Sequence, residues 1–560
     1  LLLVNLPALW TGSFYGDNLQ RPEEIPQYWK DAAKYLGSKG NDTRVMELPG
    51  SDFGSYRWGQ TVDPITPGII DRPYVARELI PYGSAASANL LNAFDLRLQE
   101  RKLDPSSIAP LMRLMGVGDV TLRNDIQFER YRLLRPLFTW DLFTPTPRGL
   151  TAPKTFGKPT STQSTEFPFL DEQALLADPN LALPPPVAVF GVQRPKKLVT
   201  TKPSAHPMVM AGDGEGMVDA AEAGMLDGDP LVFYSGTFAK DPVGLRSVLT
   251  RAPTLVITDS NRDRARRWST LTETSGYTEG PGTHPLTRDE SDARLDLFPD
   301  ETPASQTITV LEGAKSVAAS DYANAITYTP EDRATRAFDG DPHTAWRTGQ
   351  FDDVRGDRIR IVLDHPITTD HVNLVQVLDP PNDRFITRAL VRFDGGNEQS
   401  VDLGPESRTA VGQTVTFPKR RFRSFEVEVR DTNVGEQQVF GGLSPVGFGE
   451  IRLRDDAPGA RPVVVREIER MPTDLLRAAG TASERHPLVI LMNRDRVLPV
   501  PARTDPEAAL VRRVTLPTAR DFGVAGQLRI SRARTDAQID RTLGYTGPVV
   551  ANSSARMVDA

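Results

Sequence analysis

Between residues 27 and 36 apolar side chains recur at Tyr28, Ala32 and Tyr35, the spacing of one helix face, and residues 44–48 read as a short strand stopped by Pro49 and Gly50. Residues 85–99 repeat the helical spacing through Leu90, Leu91, Phe94 and Leu98, and residues 108–115 do so again before a Gly-containing turn leads into a strand near 117–122. This alternation predicts a first α/β unit over residues 1–143. Residues 144–186 are rich in Pro, Thr and Ser without periodicity and read as a linker. Strand-like runs at 187–192, 197–200, 230–234 and 254–258, with helical runs at 216–226 and 244–250, predict a second α/β unit over 187–300.

Beyond Phe298 the period drops to two. Short alternating runs near 306–311, 358–363, 371–376, 388–393, 413–417, 424–429 and 449–453, separated by Gly, Pro and Asp turns, predict a β-sandwich over residues 305–455. The region 456–560 holds one apolar strand at 487–492 and a weaker one at 526–531, and reads as part of a further β-rich module. The fold class is therefore multidomain α/β plus β-sandwich.

Composition narrows the chemistry. The chain has 560 residues and 61.7 kDa, which at roughly 150 residues per domain implies three or four domains. Its net charge is −7, and no stretch gathers enough Lys and Arg to neutralise a run of phosphates, so nucleic acid is not an expected partner. With no Cys there is no disulfide framework, thiolate metal site or thiol nucleophile. The apolar start, Leu1 to Trp10, is shorter than the ~20 residues that span a bilayer; it reads as the tail of a membrane helix with Trp10 and Tyr15 at the interface.

Ala337-Phe338-Asp339-Gly340-Asp341-Pro342-His343-Thr344-Ala345-Trp346 is the strongest motif. Two carboxylates two residues apart, a Gly that permits a sharp turn and a hydroxyl three residues later can turn several hard oxygens to one point, as Ca²⁺ requires; a plain Asp-Gly turn is the alternative. Glu47 to Gly59, followed by Asp63, Arg72, Tyr74 and Glu78, is a second polar concentration just after a strand, where an α/β unit can place ligand-binding groups. Residues 211–216 carry Asp213 and Glu215 in a Gly-rich turn. Their negative charge argues against phosphate, and Asp213 is expected to cap the following helix.

The decapeptide, with Ser316 to Ser320 before it and Gly447-Phe448-Gly449-Glu450-Ile451-Arg452-Leu453 after it, resembles the discoidin family of coagulation-factor type C domains, which includes many glycan-binding modules. The resemblance implies a jelly-roll sandwich with a structural calcium held by Arg336 (through its carbonyl), Asp339, Asp341, Thr344, Gly449 and Glu450. It also implies sugar binding by variable loops, where the candidates are Tyr322, Asn324, Asn382, Arg384, Phe385 and Phe440.

Residues 44–59, 72–83, 116–131 and 212–219, together with that module, resemble the actinobacterial alpha-(1→3)-arabinofuranosyltransferases. This resemblance implies a GT-C glycosyltransferase of the cell membrane that builds cell-wall arabinan, in arabinogalactan and lipoarabinomannan, from a polyprenyl-phosphate arabinose donor. Its catalytic acid would sit in a membrane half and its carbohydrate-binding modules on the extracytoplasmic, periplasmic face. No membrane helix is predicted here, so no catalytic residue is assigned, and the expected role is to hold arabinan. A secreted glycoside hydrolase using two of Asp52, Asp63, Asp213 and Glu215, or a non-enzymatic adhesion scaffold, are the alternatives.

Overall fold

The computed structural model describes residues 24–80, 83–131, 133–159, 180–264, 278–279, 297–322, 330–348, 353–379, 383–435, 444–494, 507, 510–528, 544 and 558–559. They fall into two compact units, the first within Leu1–Pro207, Asp213–Leu231 and Arg294–Leu297, the second within Met208–Gly212, Val232–Ala293 and Phe298–Ala560. Among the described residues no helix is long and apolar enough to cross a membrane, and the apolar start lies outside them.

The first unit is built on a five-stranded sheet. Its strands are β1 (Arg44–Leu48), β2 (Tyr74–Val75), β3 (Val117–Arg123), β4 (Lys154–Phe156) and β5 (Val187–Gly191), in the order β2-β1-β3-β5-β4. β1 runs parallel to β2 and β3, while β5 is antiparallel to β3 and β4. Helix α1 (Gln27–Gly37) buries Trp29, Ala32 and Leu36, a stripe at helical spacing, in a core with Val45, Val187 and Val189. Helices α2 (Ala85–Gln99), α3 (Ile108–Leu114) and α4 (Gly214–Glu222) belong to the same unit, and the Ser84 hydroxyl caps α2 by accepting the Ser87 N–H. Buried Arg97 of α2 joins it to α4 through Asp219, 2.5 Å away.

Two expectations are corrected here. The predicted boundary at residue 187 cuts through this sheet, because β5 pairs with β3 and with β4, which comes from the expected linker. Residues 197–200 form no strand, and Val199 is almost fully exposed, so its apolar side chain finds no layer to pack on.

The second unit combines a parallel sheet with an antiparallel module. Strands β6 (Met208–Ala211), β7 (Val232–Tyr234) and β8 (Thr254–Thr258) are parallel, with helix α5 (Pro242–Leu249) between the last two. The module follows: β9 (Ile308–Glu312), β10 (Ala314–Ala319), β11 (Trp346–Thr348), β12 (Arg358–Gln376), β13 (Ile386–Phe393), β14 (Gly396–Asp402), β15 (Gln413–Thr432), β16 (Val446–Arg452) and β17 (Arg466–Arg470). Helix α6 (Asp474–Ala479) and strand β18 (Leu488–Leu491) then return to the parallel sheet, whose order is β18-β8-β6-β7. Met471, Leu475 and Leu476 share one core with Val209 and Leu255. At least this part of the C-terminal region therefore belongs to the α/β body and not to a further β module.

Within the module, seven antiparallel strands run β11-β16-β12-β15-β13-β14 with β10 also on β12, while β9 pairs with β17. The pairs of runs expected at 358–363 and 371–376, and at 413–417 and 424–429, prove to be single strands of 19 and 20 residues. Bulges between Val362 and Ile367 and between Thr369 and His371 let β12 pair with β10 over one half and β16 over the other. Both halves face one core, in which Phe393 lies 4.6, 5.0 and 5.4 Å from the rings of Phe417, Phe422 and Phe425. Burial of each such ring contributes roughly 1.5–3 kcal/mol.

Candidate functional site

The motif at residues 336–344 folds as a tight turn. Gly340 takes φ +86°, a left-handed conformation that other residues rarely adopt. The Asp341 N–H donates to Asp339 Oδ1 at 3.0 Å, and the His343 N–H to Asp341 Oδ1 at 3.0 Å. Thr344 Oγ1 then lies 2.8 Å from both carboxylate oxygens of Asp339, 2.9 Å from the Asp341 carbonyl and 3.3 Å from the Arg336 carbonyl. One hydroxyl proton serves one acceptor, and Asp339 Oδ2 also accepts from Arg336 Nη1 at 3.3 Å, so a guanidinium already lies beside the oxygens gathered here. Glu450, buried on β16, closes the turn by accepting the Gly340 N–H at 2.7 Å.

The electrostatics agree with the geometry. Burial raises the Asp339 carboxyl above its ordinary value, and burial together with Asp339 and Asp341 pushes Glu450 up to about 7. Arg336, Asp339, Asp341, Thr344 and Glu450 thus form an oxygen-rich set that suits a hard divalent cation. Gly449 serves by lacking a side chain: a Cβ there would lie 2.8 Å from the Pro342 carbonyl oxygen and 3.2 Å from that of Gln376. Gly449→Ala is expected to cost about 1–3 kcal/mol by overpacking, measurable as a lowered denaturation midpoint of the second unit.

A shallow cavity opens on the same module, lined by Gln376, Arg384, Phe385, Arg408 and the backbone near Val446. Arg384 is buried and donates from Nε to the Ser444 carbonyl at 2.9 Å. The Arg408 guanidinium lies 3.9 Å over the Phe385 ring. Of the six sugar-binding candidates, Arg384 and Phe385 are brought together here. Tyr322 is corrected: at 2% exposure its ring belongs to the hydrophobic core of the module and not to an open loop. Asn324, Asn382 and Phe440 lie outside the described residues. Sequence reading missed Gln376 and Arg408, which reach the cavity from separate strands and turns with no local motif to mark them.

Several groups of the other polar concentrations are paired internally. Glu47 is fully buried and ion-paired with Arg123 at 3.2 Å, with neither carboxylate oxygen hydrogen-bonded among the described residues, and buried Arg72 pairs with Asp119 at 2.8 Å. Asp52 pairs with Arg77 at 2.5 Å, while Asp213 accepts the Glu215 and Gly216 N–H groups as the cap of α4. Two of the four carboxylates from which a hydrolase reading would draw its pair, Asp52 and Asp213, are therefore committed. Asp370, His371 and Asp456 form an exposed cluster, but Lys419 occupies Asp456 at 2.9 Å and supplies the positive charge.

Fold and site together define a multidomain α/β protein whose parallel sheet is interrupted by an antiparallel module carrying an oxygen-lined turn and an arginine-lined cavity. A family model described as alpha-(1→3)-arabinofuranosyltransferase, N-terminal GT-C domain, matches residues 3–295, and the chain belongs to that family. An alpha-(1→3)-arabinofuranosyltransferase of Mycobacterium tuberculosis is 25% identical over 388 residues, 67% of this chain and 26% of the relative. One of Mycolicibacterium smegmatis is 24% identical over 356 residues, 61% of this chain and 24% of the relative. The chain spans about a quarter of the length of these curated relatives. A single-particle cryo-EM structure of arabinofuranosyltransferase AftD from mycobacteria shares the fold, with TM-score 0.59 and 22% identity over 84% of this chain and 34% of that one.

Proposed function

We propose that this chain is the extracytoplasmic, glycan-holding part of an arabinofuranosyltransferase that extends cell-wall arabinan. In this reading arabinofuranose comes from a polyprenyl-phosphate donor at a membrane-embedded centre of the whole enzyme. The residues described here keep the acceptor chain close, since a tethered weak site raises the local concentration of its ligand. Membership of the arabinofuranosyltransferase family supports the transferase context. The observation that carries the glycan-holding role is the module between β8 and β18, with a polar and aromatic cavity beside a turn suited to calcium. We assign that module to the discoidin-like class, with calcium as its structural ion. Arg336, Asp339, Asp341, Thr344 and Glu450 would hold the ion, whose charge would compensate their crowded oxygens and fix the turn against β16.

Calorimetric titration with arabinan and galactan oligosaccharides, in calcium and in chelator, tests the reading. Saturable arabinan binding is expected. Calcium at 100 times its dissociation constant is expected to stabilise the second unit by about 2.7 kcal/mol, seen as a raised melt that Asp339→Ala abolishes. Absence of glycan binding would leave an adhesion or scaffold role in its place, and a melt indifferent to calcium would remove the metal.

A further inference from the structure

The charges around the cavity are one-sided. Its charged lining residues, Arg384 and Arg408, are both cationic. Arg408 is exposed and, among the described residues, has no carboxylate partner; its contact is the Phe385 ring. Other arginines of the module are neutralised, Arg392 by Glu426 at 2.7 Å and Arg347 by Asp332 at 2.9 Å, for example.

The position of Arg408 is also built. It ends the short turn Pro405–Arg408, in which buried Ser407 donates to the Gly404 carbonyl at 2.6 Å and accepts from the Gln376 amide at 2.8 Å. Gln376 is fixed in turn, donating to and accepting from the backbone of Ile386. Its side chain therefore braces the turn and is not free for a ligand. A guanidinium stacked on a ring keeps its plane and presents its N–H edge outward, the geometry that a planar or tetrahedral anion accepts in two places.

We propose that this cavity selects an anionic group carried on a glycan, a uronate carboxylate or a phosphate ester, and that Arg408, stacked on Phe385, is the specificity-determining residue. The proposal rests on the glycan-holding reading and adds the charge of the preferred ligand. Its test is titration of the whole chain with a uronate oligosaccharide, the matching neutral oligosaccharide, a sugar phosphate and inorganic phosphate. The acidic sugars are expected to bind about 10-fold tighter than the neutral one. That ratio should fall toward one in Arg408→Gln, be partly kept in Arg408→Lys and shrink in Phe385→Ala, with unchanged melts showing that each variant is folded. Equal affinity for acidic and neutral sugars, or a ratio unmoved by Arg408→Gln, overturns the selectivity while the glycan reading stands. Inorganic phosphate binding as tightly as the sugar phosphate would leave an anion site without glycan recognition, and no binding of any sugar would remove both readings.

Discussion

Asp125→Ala is expected to destabilise the first unit by about 4 kcal/mol, read from the first transition of a denaturant titration followed by tryptophan fluorescence. Asp125 is buried, and its Oδ2 accepts three donors: Trp29 Nε1 at 2.8 Å, Trp58 Nε1 at 2.9 Å and the Tyr28 hydroxyl at 3.0 Å. Alanine strands all three. An orphaned buried donor costs about 1–3 kcal/mol, the full amount for Trp29 at 1% exposure and less for the two that reach water. The same carboxylate ties α1 to the hairpin Gly54–Tyr56 and Gly59–Val62, where Trp58 stacks on Tyr56 with centroids 5.0 Å apart. Loss of the acceptor should therefore loosen the helix and hairpin together.

The pH dependence of this site has a definite sign. Burial raises the Asp125 carboxyl to about 6, outweighing the three donors that favour its ionised form. A carboxyl raised above its unfolded value near 4 favours folding most below pH 4, and that contribution is lost as pH rises through 6. Two units correspond to about 3 kcal/mol. Asp125→Asn keeps an acceptor and carries no charge, so it should recover most of the alanine loss at neutral pH and flatten the slope between pH 4 and 6.

What the sequence revealed was what its local periods encode. The run 254–258 was legible as a strand because five consecutive residues alternate no polarity, as a buried parallel strand requires. Its neighbour Leu488–Leu491 was legible as a strand too, but not as its partner, since pairing across some 230 residues leaves no trace in a local period. Val187–Gly191 was assigned to the second α/β unit for the same reason: an apolar run specifies an element and not the strand beside it. The split readings of β12 and β15 followed from bulges, which shift the phase of alternation and mimic strand ends. At the site, the oxygen-crowded turn was legible because its main donors fall within nine residues. The cavity was half legible. Arg384 and Phe385 are adjacent in a turn, whereas Arg408 is placed by Ser407 and Gln376, a contact spanning 31 residues.

Glu467→Ala is expected to cost the second unit about 3–5 kcal/mol, because it removes the carboxylate that pairs with Arg333, a side chain at 2% exposure. Glu467 on β17 accepts from Arg333 Nε at 2.7 Å, from Arg333 Nη2 and from the Thr335 hydroxyl. Burial alone would raise its carboxyl, but the Arg333 charge and hydrogen bonds, with Arg336 and Thr335 behind them, hold it down to about 2. The sign is opposite to that of Asp125: a depressed carboxyl stabilises the fold above its unfolded value near 4.5, and that contribution disappears as pH falls toward 2. The shift is worth about 3 kcal/mol, less a fraction for the 16% of the side chain open to water. Acid should thus unfold the second unit through Glu467 over a range in which Asp125 steadies the first, and Glu467→Gln should remove most of the slope below pH 4.5. Arg333 and Thr335 lead directly into the turn at Arg336 and Asp339, so the same variants should weaken any calcium-dependent gain in the melt. A full calcium response in Glu467→Ala would show that the turn holds its oxygens without this anchor.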